Sequence, residues 1–449
     1  MAETLPPDND RRAGTQRSSK SGKVADFRYK RSSRPKRDGK PSRKDCEAEP
    51  VADFRRSRAK ADADQSKPQP KDQPQPQPKP SSGQSTPDQP RSPFKSAPAP
   101  RRSNSARPGE AYAALDLGTN NCRLLIARPS GRDFTVIDAF SRVVKLGEDL
   151  ATTGRLSDRA MDRALGALSI CADKLRRRKV RLARSVATEA CRRAANGPAF
   201  IERVRQETGI VLDIITAEEE ARLAVLGCHI LLEQGDGPAV IFDIGGGSTE
   251  LVLLAPPEPG KRKVPRILDW QSVPWGVVSL TDTVGECGDT DAARLAMYER
   301  MRGIVADSFA PFARRIGTAA KQEDIRLLGT SGTVTTLASL HLELPHYDRK
   351  AVDGLIVPSA AMRAISSDLS EMSRRQRSDL PCIGQDRADL VVAGCAILEA
   401  ILDLWPAQRL GVADRGIREG ILRSLMAAER QSERALEALQ ASRTNPQQG

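Results

Sequence analysis

The sequence is poor in residues that build metal and disulfide scaffolds. It contains eight cysteines and three histidines in 449 residues, and no two cysteines have the CxxC spacing. A zinc site or a disulfide framework is therefore not expected, and a reducing cytoplasm is the predicted compartment.

Long apolar segments are absent as well. No run approaches the ~20 apolar residues of a membrane-spanning helix, and the first 30 residues contain no apolar core of a secretory signal. The chain also lacks a GxxxxGK[ST] loop and a GxGxxG motif after a strand. These absences argue against a membrane protein and against the two commonest nucleotide motifs, so a phosphate site must be of another kind.

Positive charge is concentrated at one end of the chain. Residues 1–108 contain 26 basic and 13 acidic residues, which accounts for the whole net charge of +13, while the remaining residues contain 45 of each. The same segment holds 17 of the 31 prolines, including a Pro/Gln-rich stretch at 68–80. It has too few apolar residues to offset the entropy of ordering, so a disordered basic tail is predicted.

The basic tail has one internal repeat, because residues 24–28 (VADFR) recur at 51–55. Chance duplication and a pair of polyanion-contact motifs both remain open. Salt-dependent contact with polyanions suits the charge, but the tail has only four aromatic residues on which a base could stack. Sequence-specific RNA readout is therefore not expected.

From residue 111 onward, short apolar runs alternate with amphipathic segments, which is typical of an α/β chain. We predict three successive strands between residues 111 and 144, then a helix capped by Ser157. Three more strands are predicted between 239 and 273. The order β-β-β-α-β-α opens each half, which indicates two related domains with a cleft between them.

Two similar turns carry the strongest chemical signal. They are DLGTNNCR at 116–123 and DIGGGSTE at 243–250. In each, an Asp ends a predicted strand and is followed by glycine and by small hydroxyl or amide side chains. Glycines let backbone N–H groups approach an oxyanion closely, and an Asp beside them can hold Mg²⁺. The recurrence of the turn in both halves favours a phosphate site over two ordinary hairpin turns.

Taken in order, DLGTNNCR, SVATEACRRAAN, ITAEEEARL, FDIGGGSTE and LGTSGT resemble the exopolyphosphatase/guanosine pentaphosphate phosphohydrolase (Ppx/GppA) family. The segments DRADLVVAG and ADRGIREGIL fit too, and the resemblance covers roughly 111–430. It implies two RNase H-like domains of the actin/Hsp70/sugar-kinase superfamily, with the active site in the interdomain cleft. The expected divisions are a tail at 1–108, domains at 109–224 and 225–430, and a polar tail at 431–449. The resemblance is to the short form, without the C-terminal HD-type domain of longer members.

The resemblance also implies roles for individual residues. Glu220 would orient and deprotonate the attacking water, Arg192 would clamp the phosphoryl charge, and Asp243 and Glu250 would act in catalysis and hold Mg²⁺. The implied phosphate-binding residues are Asp116, Gly118, Thr119, Asn120, Arg123, Gly245, Gly246, Gly247, Ser248 and Thr249.

The implied activity is Mg²⁺-dependent release of terminal phosphate from inorganic polyphosphate or guanosine pentaphosphate. A non-catalytic binder of these anions, a sugar or acetate kinase of the same superfamily, and an RNA-binding protein acting through its tail remain alternatives. The Glu220-Ala221-Arg222 sequence favours the hydrolase over the kinase. A homodimer, and a nucleotide at the GTSGT turn (329–333), are left open.

Overall fold

The structure is a computed structural model that describes residues 110–131, 133–257, 264–285, 288, 290–317 and 325–444. The tail predicted at 1–108 lies outside the described residues. The described residues belong to one compact unit of the chain. None of their helices is long and apolar enough to cross a membrane.

The first sheet has five strands in the order β3-β2-β1-β4-β5. They are β1 (Ala111–Leu117), β2 (Asn121–Ser130), β3 (Asp133–Val143), β4 (Val180–Ala187) and β5 (Leu212–Ile214). The central β1 is antiparallel to β2 and parallel to β4. It is almost wholly buried on both faces, as expected for a strand covered by helices.

Five helices accompany this sheet. They are α1 (Leu150–Thr153), α2 (Asp158–Arg177), α3 (Glu189–Arg193), α4 (Gly197–Thr208) and α5 (Ala217–Cys228). The predicted cap of α2 is confirmed, because the Ser157 hydroxyl accepts a hydrogen bond from the Ala160 N–H at 3.2 Å. The apolar side of α2 packs on the first sheet, with Ala164 and Leu168 in the same buried cluster as Leu115.

The second sheet has six strands in the order β10-β11-β9-β6-β7-β8. They are β6 (Ala239–Ile244), β7 (Thr249–Leu254), β8 (Ile267–Val273), β9 (Arg326–Thr330), β10 (Ile356–Pro358) and β11 (Arg409–Ala413). Here β6 is antiparallel to β7 and parallel to β9, which repeats the arrangement around β1. The α/β fold with two related halves, predicted from the sequence, is confirmed.

Eight helices follow the start of the second sheet. They are α6 (Val277–Val284), α7 (Asp291–Ile316), α8 (Gly332–His341), α9 (Arg349–Val352), α10 (Ser359–Glu371), α11 (Arg374–Asp379), α12 (Leu390–Leu404) and α13 (Ile417–Thr444). The largest buried cluster joins this sheet to α7 and α12, where the rings of Phe312 and Trp405 meet edge to face at 5.9 Å.

Helix α5 lies between the two sheets, and α13 lies beside it. Leu223 of α5 packs with Leu422 of α13 against the first sheet, while Val225 of α5 packs against the second sheet. The two helices can approach closely because Gly420 has no side chain. A Cβ at this position would lie only 2.0 Å from the Leu223 carbonyl oxygen. This close packing fixes the start of α5, where the predicted catalytic glutamate lies.

Candidate active site

The two glycine-bearing turns lie against each other. A Cβ placed on Gly246 would lie 3.0 Å from Thr119 Cβ and 3.1 Å from the Asn120 nitrogen. On Gly247 it would lie 2.6 Å from Thr119 Oγ1. Such distances exclude a side chain, so glycine is needed for the second turn to approach the first.

The second turn is held in place through its carbonyl groups. The Gly245 oxygen accepts from Val277 N at 2.9 Å and the Gly246 oxygen from Val278 N at 2.8 Å, at the start of α6. No described residue accepts a hydrogen bond from the N–H groups of Gly246, Gly247 or Ser248. Buried backbone donors normally have a partner, so this run of N–H groups suits an anion.

The first turn has the same character. The Thr119 oxygen accepts from Gly147 N at 2.9 Å and the Asn120 oxygen from Val144 N at 2.8 Å. The N–H groups of Thr119 and Asn120 have no acceptor within the described ranges. The buried amide oxygen of Asn120 also lacks a partner. Both turns therefore leave polar groups for a ligand between them.

A cleft with about 130 Å³ of space that water can reach runs along the two turns. It contains most of the site residues predicted from the sequence, which the structure thus brings together. These are Asp116, Gly118, Thr119, Asn120, Arg123, Glu220, Asp243, Gly245, Gly246, Gly247, Ser248 and Glu250. Arg192 and Thr249 do not line the cleft.

Glu220 is the one buried residue among three consecutive glutamates in the first turn of α5. The helix begins at Thr216, whose hydroxyl accepts from Glu219 N at 3.1 Å. Glu219 points outward and binds Arg184 at 2.9 Å, whereas Glu220 lines the cleft. Burial, followed by the nearby charge of Glu250, raises the pKa of Glu220 well above its usual value.

Arg192 lies beside Glu220 but outside the cleft. Its Nη1 donates to Glu220 Oε2 at 3.0 Å and to the Ile215 carbonyl oxygen at 2.8 Å. Its Nη2 donates to Glu189 Oε2 at 2.6 Å. The guanidinium therefore holds one oxygen of the Glu220 carboxylate without itself lining the cleft. The clamp role expected for Arg192 stays a prediction.

Glu250 and Thr249 face opposite sides of β7, as neighbours on a strand do. Glu250 Oε1 accepts from the hydroxyls of Ser248 and Ser272, both at 2.7 Å. Thr249 is fully buried and its hydroxyl donates to the Trp275 carbonyl oxygen at 2.7 Å. Thr249 thus supports the loop before α6, and its predicted phosphate contact stays a prediction.

Asp243 and Asp116 end the central strands of the two sheets. Burial, followed by the charge of Glu250, raises the pKa of Asp243 to about 8. Burial also raises the pKa of Asp116, against the opposing pull of Arg123 and then Arg418. Asp116 Oδ1 is buried without a hydrogen-bond partner. Two carboxylates with raised pKa values in one cleft favour a cation as their partner.

The donor set suits Mg²⁺ better than a transition metal. No cluster of three His, Cys, Asp or Glu side chains suited to a metal occurs in the part of the chain that the structure describes. Mg²⁺ needs no such cage, because it is usually bound by one or two carboxylates together with substrate phosphates and water. Asp243 and Glu250, with Asp116 nearby, fit that pattern.

The structure adds a third turn that the sequence analysis left without a role. Ser331, Gly332 and Thr333 line the cleft at the start of α8, and Arg387 faces them. Ser331 has a φ of 146°, which a non-glycine residue rarely adopts and which is typical of functional sites. Arg387 Nη1 lies 3.2 Å from Thr336 Oγ1. The segments LGTSGT and DRADLVVAG were the signal that could have pointed to these residues.

Comparison with known proteins agrees with this arrangement. The chain is 30% identical over 326 residues to exopolyphosphatase 2 of Mycobacterium tuberculosis, covering 70% of this chain and 98% of that protein. It is 26% identical over 319 residues to a putative exopolyphosphatase of Haemophilus influenzae, covering 70% of this chain and 90% of that protein.

Solved structures of similar proteins agree with these sequence comparisons. The Aquifex aeolicus member of the Ppx/GppA family superposes with a TM-score of 0.57 at 29% identity, over 71% of this chain and 98% of that one. An exopolyphosphatase from Cytophaga hutchinsonii shares the fold, with a TM-score of 0.62 at 24% identity over 71% of this chain and 98% of that one. The profile of the Ppx/GppA phosphatase family matches residues 125–429. The chain therefore belongs to the Ppx/GppA phosphatase family.

Proposed function

We propose that this protein is a Mg²⁺-dependent hydrolase that releases the terminal phosphate of inorganic polyphosphate. The observation that carries the proposal is the position of Glu220. Its buried carboxylate lines the same cleft as the two phosphate turns, and Arg192 holds it at 3.0 Å from outside that cleft. A fixed carboxylate beside an anion site is what hydrolysis of a phosphoanhydride needs.

The turns would bind the terminal phosphate. The N–H groups of Gly246, Gly247 and Ser248 on one side, and of Thr119 and Asn120 on the other, have no acceptor among the described residues. Pre-positioned N–H donors stabilise the charge on the phosphoryl oxygens as the reaction proceeds. No rearrangement of the backbone is required for them to act.

Glu220 would act as the general base. Water forms a bond to the terminal phosphorus, its proton passes to the Glu220 carboxylate, and the bond to the bridging oxygen breaks. The bridging oxygen stays with the chain, which is one phosphate shorter, and orthophosphate is the second product. Since Arg192 occupies Glu220 Oε2, Oε1 is the oxygen open to the water.

Asp243 and Glu250 would hold the Mg²⁺. When bound, the metal would neutralise charge on the phosphate oxygens. Ser248 and Ser272 orient Glu250 through its Oε1, and no described residue donates a hydrogen bond to Asp243. Both carboxylates therefore keep oxygen atoms for a cation.

The choice of substrate rests on chemistry and on the named relatives. One relative is named exopolyphosphatase 2 and another is named a putative exopolyphosphatase, which favours polyphosphate. Guanosine pentaphosphate is a second candidate, because the apolar side chains of Leu390 and Val391 line the cleft beside the Ser331 turn and could contact a base. Binding without turnover and phosphate transfer to an acceptor are the competing activities.

A phosphate-release assay tests the proposal. The full chain is assayed on polyphosphate and on guanosine pentaphosphate, each with Mg²⁺ and with EDTA. We expect phosphate to be released from polyphosphate with Mg²⁺ and not with EDTA. Tight binding without release would favour a non-catalytic regulator, and phosphate transfer from ATP to an added acceptor would favour a kinase. The homodimer, the cytoplasmic compartment and polyanion contact by the basic tail stay predictions.

A further inference from the structure

A second cavity adjoins the cleft. It shares Asp116, Arg123, Asp243, Ser331 and Ile417 with the cleft but contains neither Glu220 nor the glycines of the two turns. We call this cavity the rear chamber. Its other walls are the ends of β9 and β11 and the start of α13. The remaining lining residues are Thr330, Asp414, Arg415, Gly416 and Arg418.

Two of the charged residues in the rear chamber are already neutralised. Arg415 Nε lies 2.7 Å from Asp353 Oδ2, and Asp414 Oδ2 lies 2.9 Å from Arg349 Nε. These ion pairs leave little net charge at the outer wall. The other charged residues of the chamber are Asp116 and Asp243 in the shared wall and the two arginines Arg123 and Arg418.

Arg123 and Arg418 are the cations of the chamber that are left without an ion pair. Within the described residues, no carboxylate oxygen lies within 4.0 Å of either guanidinium. Burial, and then repulsion from Arg418, lower the pKa of Arg123, so the two cations share one region. Asp116 in the shared wall attracts both cations, but it forms no ion pair with either. Two half-buried guanidinium groups whose N–H donors are not taken up by an ion pair match the oxygens of a phosphate.

We propose that the rear chamber binds one phosphoryl group through Arg418 and Arg123, at a position separate from the one where Glu220 acts. The carboxylates of Asp116 and Asp243 in the shared wall disfavour an anion beside them, so the phosphate lies at the Arg418 end. The proposal rests on the proposed function for its two sources of phosphate. One is the released orthophosphate, and the other is a further phosphate of the chain held in the cleft.

Equilibrium dialysis with labelled orthophosphate tests the site without any turnover. The full chain is compared with Arg418→Gln and with Arg434→Gln, the same change at an exposed position of the same helix. A charge-assisted bond is worth enough that Arg418→Gln is expected to weaken binding by about tenfold or more. Arg434→Gln is expected to bind as the unchanged protein does. Equal affinity in all three, or no binding by the unchanged protein, would overturn the proposal.

A second variant separates the site from a general loss of positive charge. In Gly416→Ala the added Cβ would lie 3.4 Å from Thr330 Oγ1 and 3.9 Å from Asp243 Oδ2, which are ordinary contacts. The methyl group narrows the chamber without changing any charge or requiring the backbone to move. Weaker orthophosphate binding is expected here also, and unchanged binding would contradict the site. Thermal unfolding of each variant shows whether the fold is kept.

Steady-state kinetics then distinguish the two sources. If the chamber holds released orthophosphate, Arg418→Gln raises the inhibition constant for orthophosphate and leaves the KM for polyphosphate unchanged. If it holds a chain phosphate, the KM for tripolyphosphate rises. Either result supports the site. If neither the inhibition constant for orthophosphate nor the KM for tripolyphosphate changes, the site is contradicted. A protein that bound orthophosphate through Arg418 but released none from polyphosphate would refute the proposed function and keep the rear-chamber site.

Discussion

Arg192 and Glu220 form an ion pair, with 3.0 Å between Nη1 and Oε2, in which only the glutamate reaches the cleft. The arginine is also bound by Glu189 at 2.6 Å. This pair links α3 of the first half to the start of α5, the helix that packs between the sheets. The proposed base is thus bound by a residue that need not touch the substrate.

Replacing the base removes the proposed activity while keeping the fold. Glu220→Gln preserves the shape of the side chain but cannot accept the proton of the attacking water, so phosphate release is expected to fall by about 10²–10⁴-fold. Glu219→Gln is the matched control, because Glu219 is next in the sequence and faces Arg184. Its rate is expected to stay within about twofold, by comparison with the usual small effect of surface changes. Equal rates for the two variants would remove Glu220 from the mechanism.

The variant Arg192→Lys distinguishes two roles for Arg192, orientation of Glu220 and direct contact with phosphate. If Arg192 orients Glu220, Arg192→Lys lowers kcat and leaves KM nearly unchanged, because no contact with substrate is lost. If Arg192 instead bound the phosphoryl group, Arg192→Lys would raise KM as well. Steady-state kinetics on polyphosphate decide between these, and a rise in KM without a fall in kcat would contradict the orienting role.

The same ion pair contributes to stability. Arg192→Ala leaves the buried carboxylates of Glu189 and Glu220 without their partner, and removing one member of such a pair typically costs about 3 kcal/mol. Arg193→Ala is the control, since Arg193 is more exposed and lies 3.8 Å from Glu189; a change below about 0.5 kcal/mol is expected there. Urea unfolding measures both. A stable Arg192→Ala protein would show that the pair is dispensable for the fold.

The contact between the two turns depends on the absence of a side chain. In Gly247→Ala the new Cβ would lie 2.6 Å from Thr119 Oγ1 and 2.9 Å from Glu189 Cγ. The turns must separate, so we expect a loss of activity of about tenfold or more, as for other small displacements of binding groups. Gly166→Ala in α2 meets nothing within 4 Å and is expected to stabilise the helix by about 0.5–1 kcal/mol with unchanged activity. Full activity in Gly247→Ala would mean that the contact is unimportant.

The raised pKa of Asp243 predicts how the stability of the metal-free protein changes with pH. Its pKa rises from 3.8 to about 8 on folding, mainly through burial. Between these values the folded state holds a proton that the unfolded state has lost, so the free energy of unfolding falls as pH rises. If Asp243 binds Mg²⁺ as proposed, the metal replaces the proton, so the stabilising effect of Mg²⁺ grows over the same pH range. Thermal unfolding with EDTA and with Mg²⁺ checks this, and Asp243→Asn should be less sensitive to pH. If the free energy of unfolding without metal instead increased from pH 5 to pH 8, and Asp243→Asn removed that increase, the raised pKa of Asp243 would be contradicted.

The strand pattern and both turns were predictable because they depend on local sequence. Strand β1 begins and ends where the sequence predicts, since alternating runs of small and branched apolar residues end at Asp116 and glycine. Not all of the short helices were predictable. Helix α6 begins at Gly276 after a Pro-Trp pair, and it forms because Gly245 and Gly246 supply acceptors for its first N–H groups, a tertiary contact invisible in sequence.

The sequence could place Glu220 in the site only through resemblance. Three successive glutamates open α5, and which one is buried depends on how α5 packs between the sheets, beside α13, from a distant part of the chain. The rear chamber depends on the same long-range packing, because Arg123 and Arg418 come together only when α13 returns to the end of β1. Charge patterning along the chain gives no indication of that meeting.

The most direct test is a crystal structure of Glu220→Gln with Mg²⁺ and tripolyphosphate. The account predicts the terminal phosphate between the N–H groups of Gly246 to Ser248 and those of Thr119 and Asn120, with the side chain at position 220 beside its phosphorus and Mg²⁺ on Asp243. A terminal phosphate bound elsewhere, with the two turns empty and position 220 remote from it, would contradict the account.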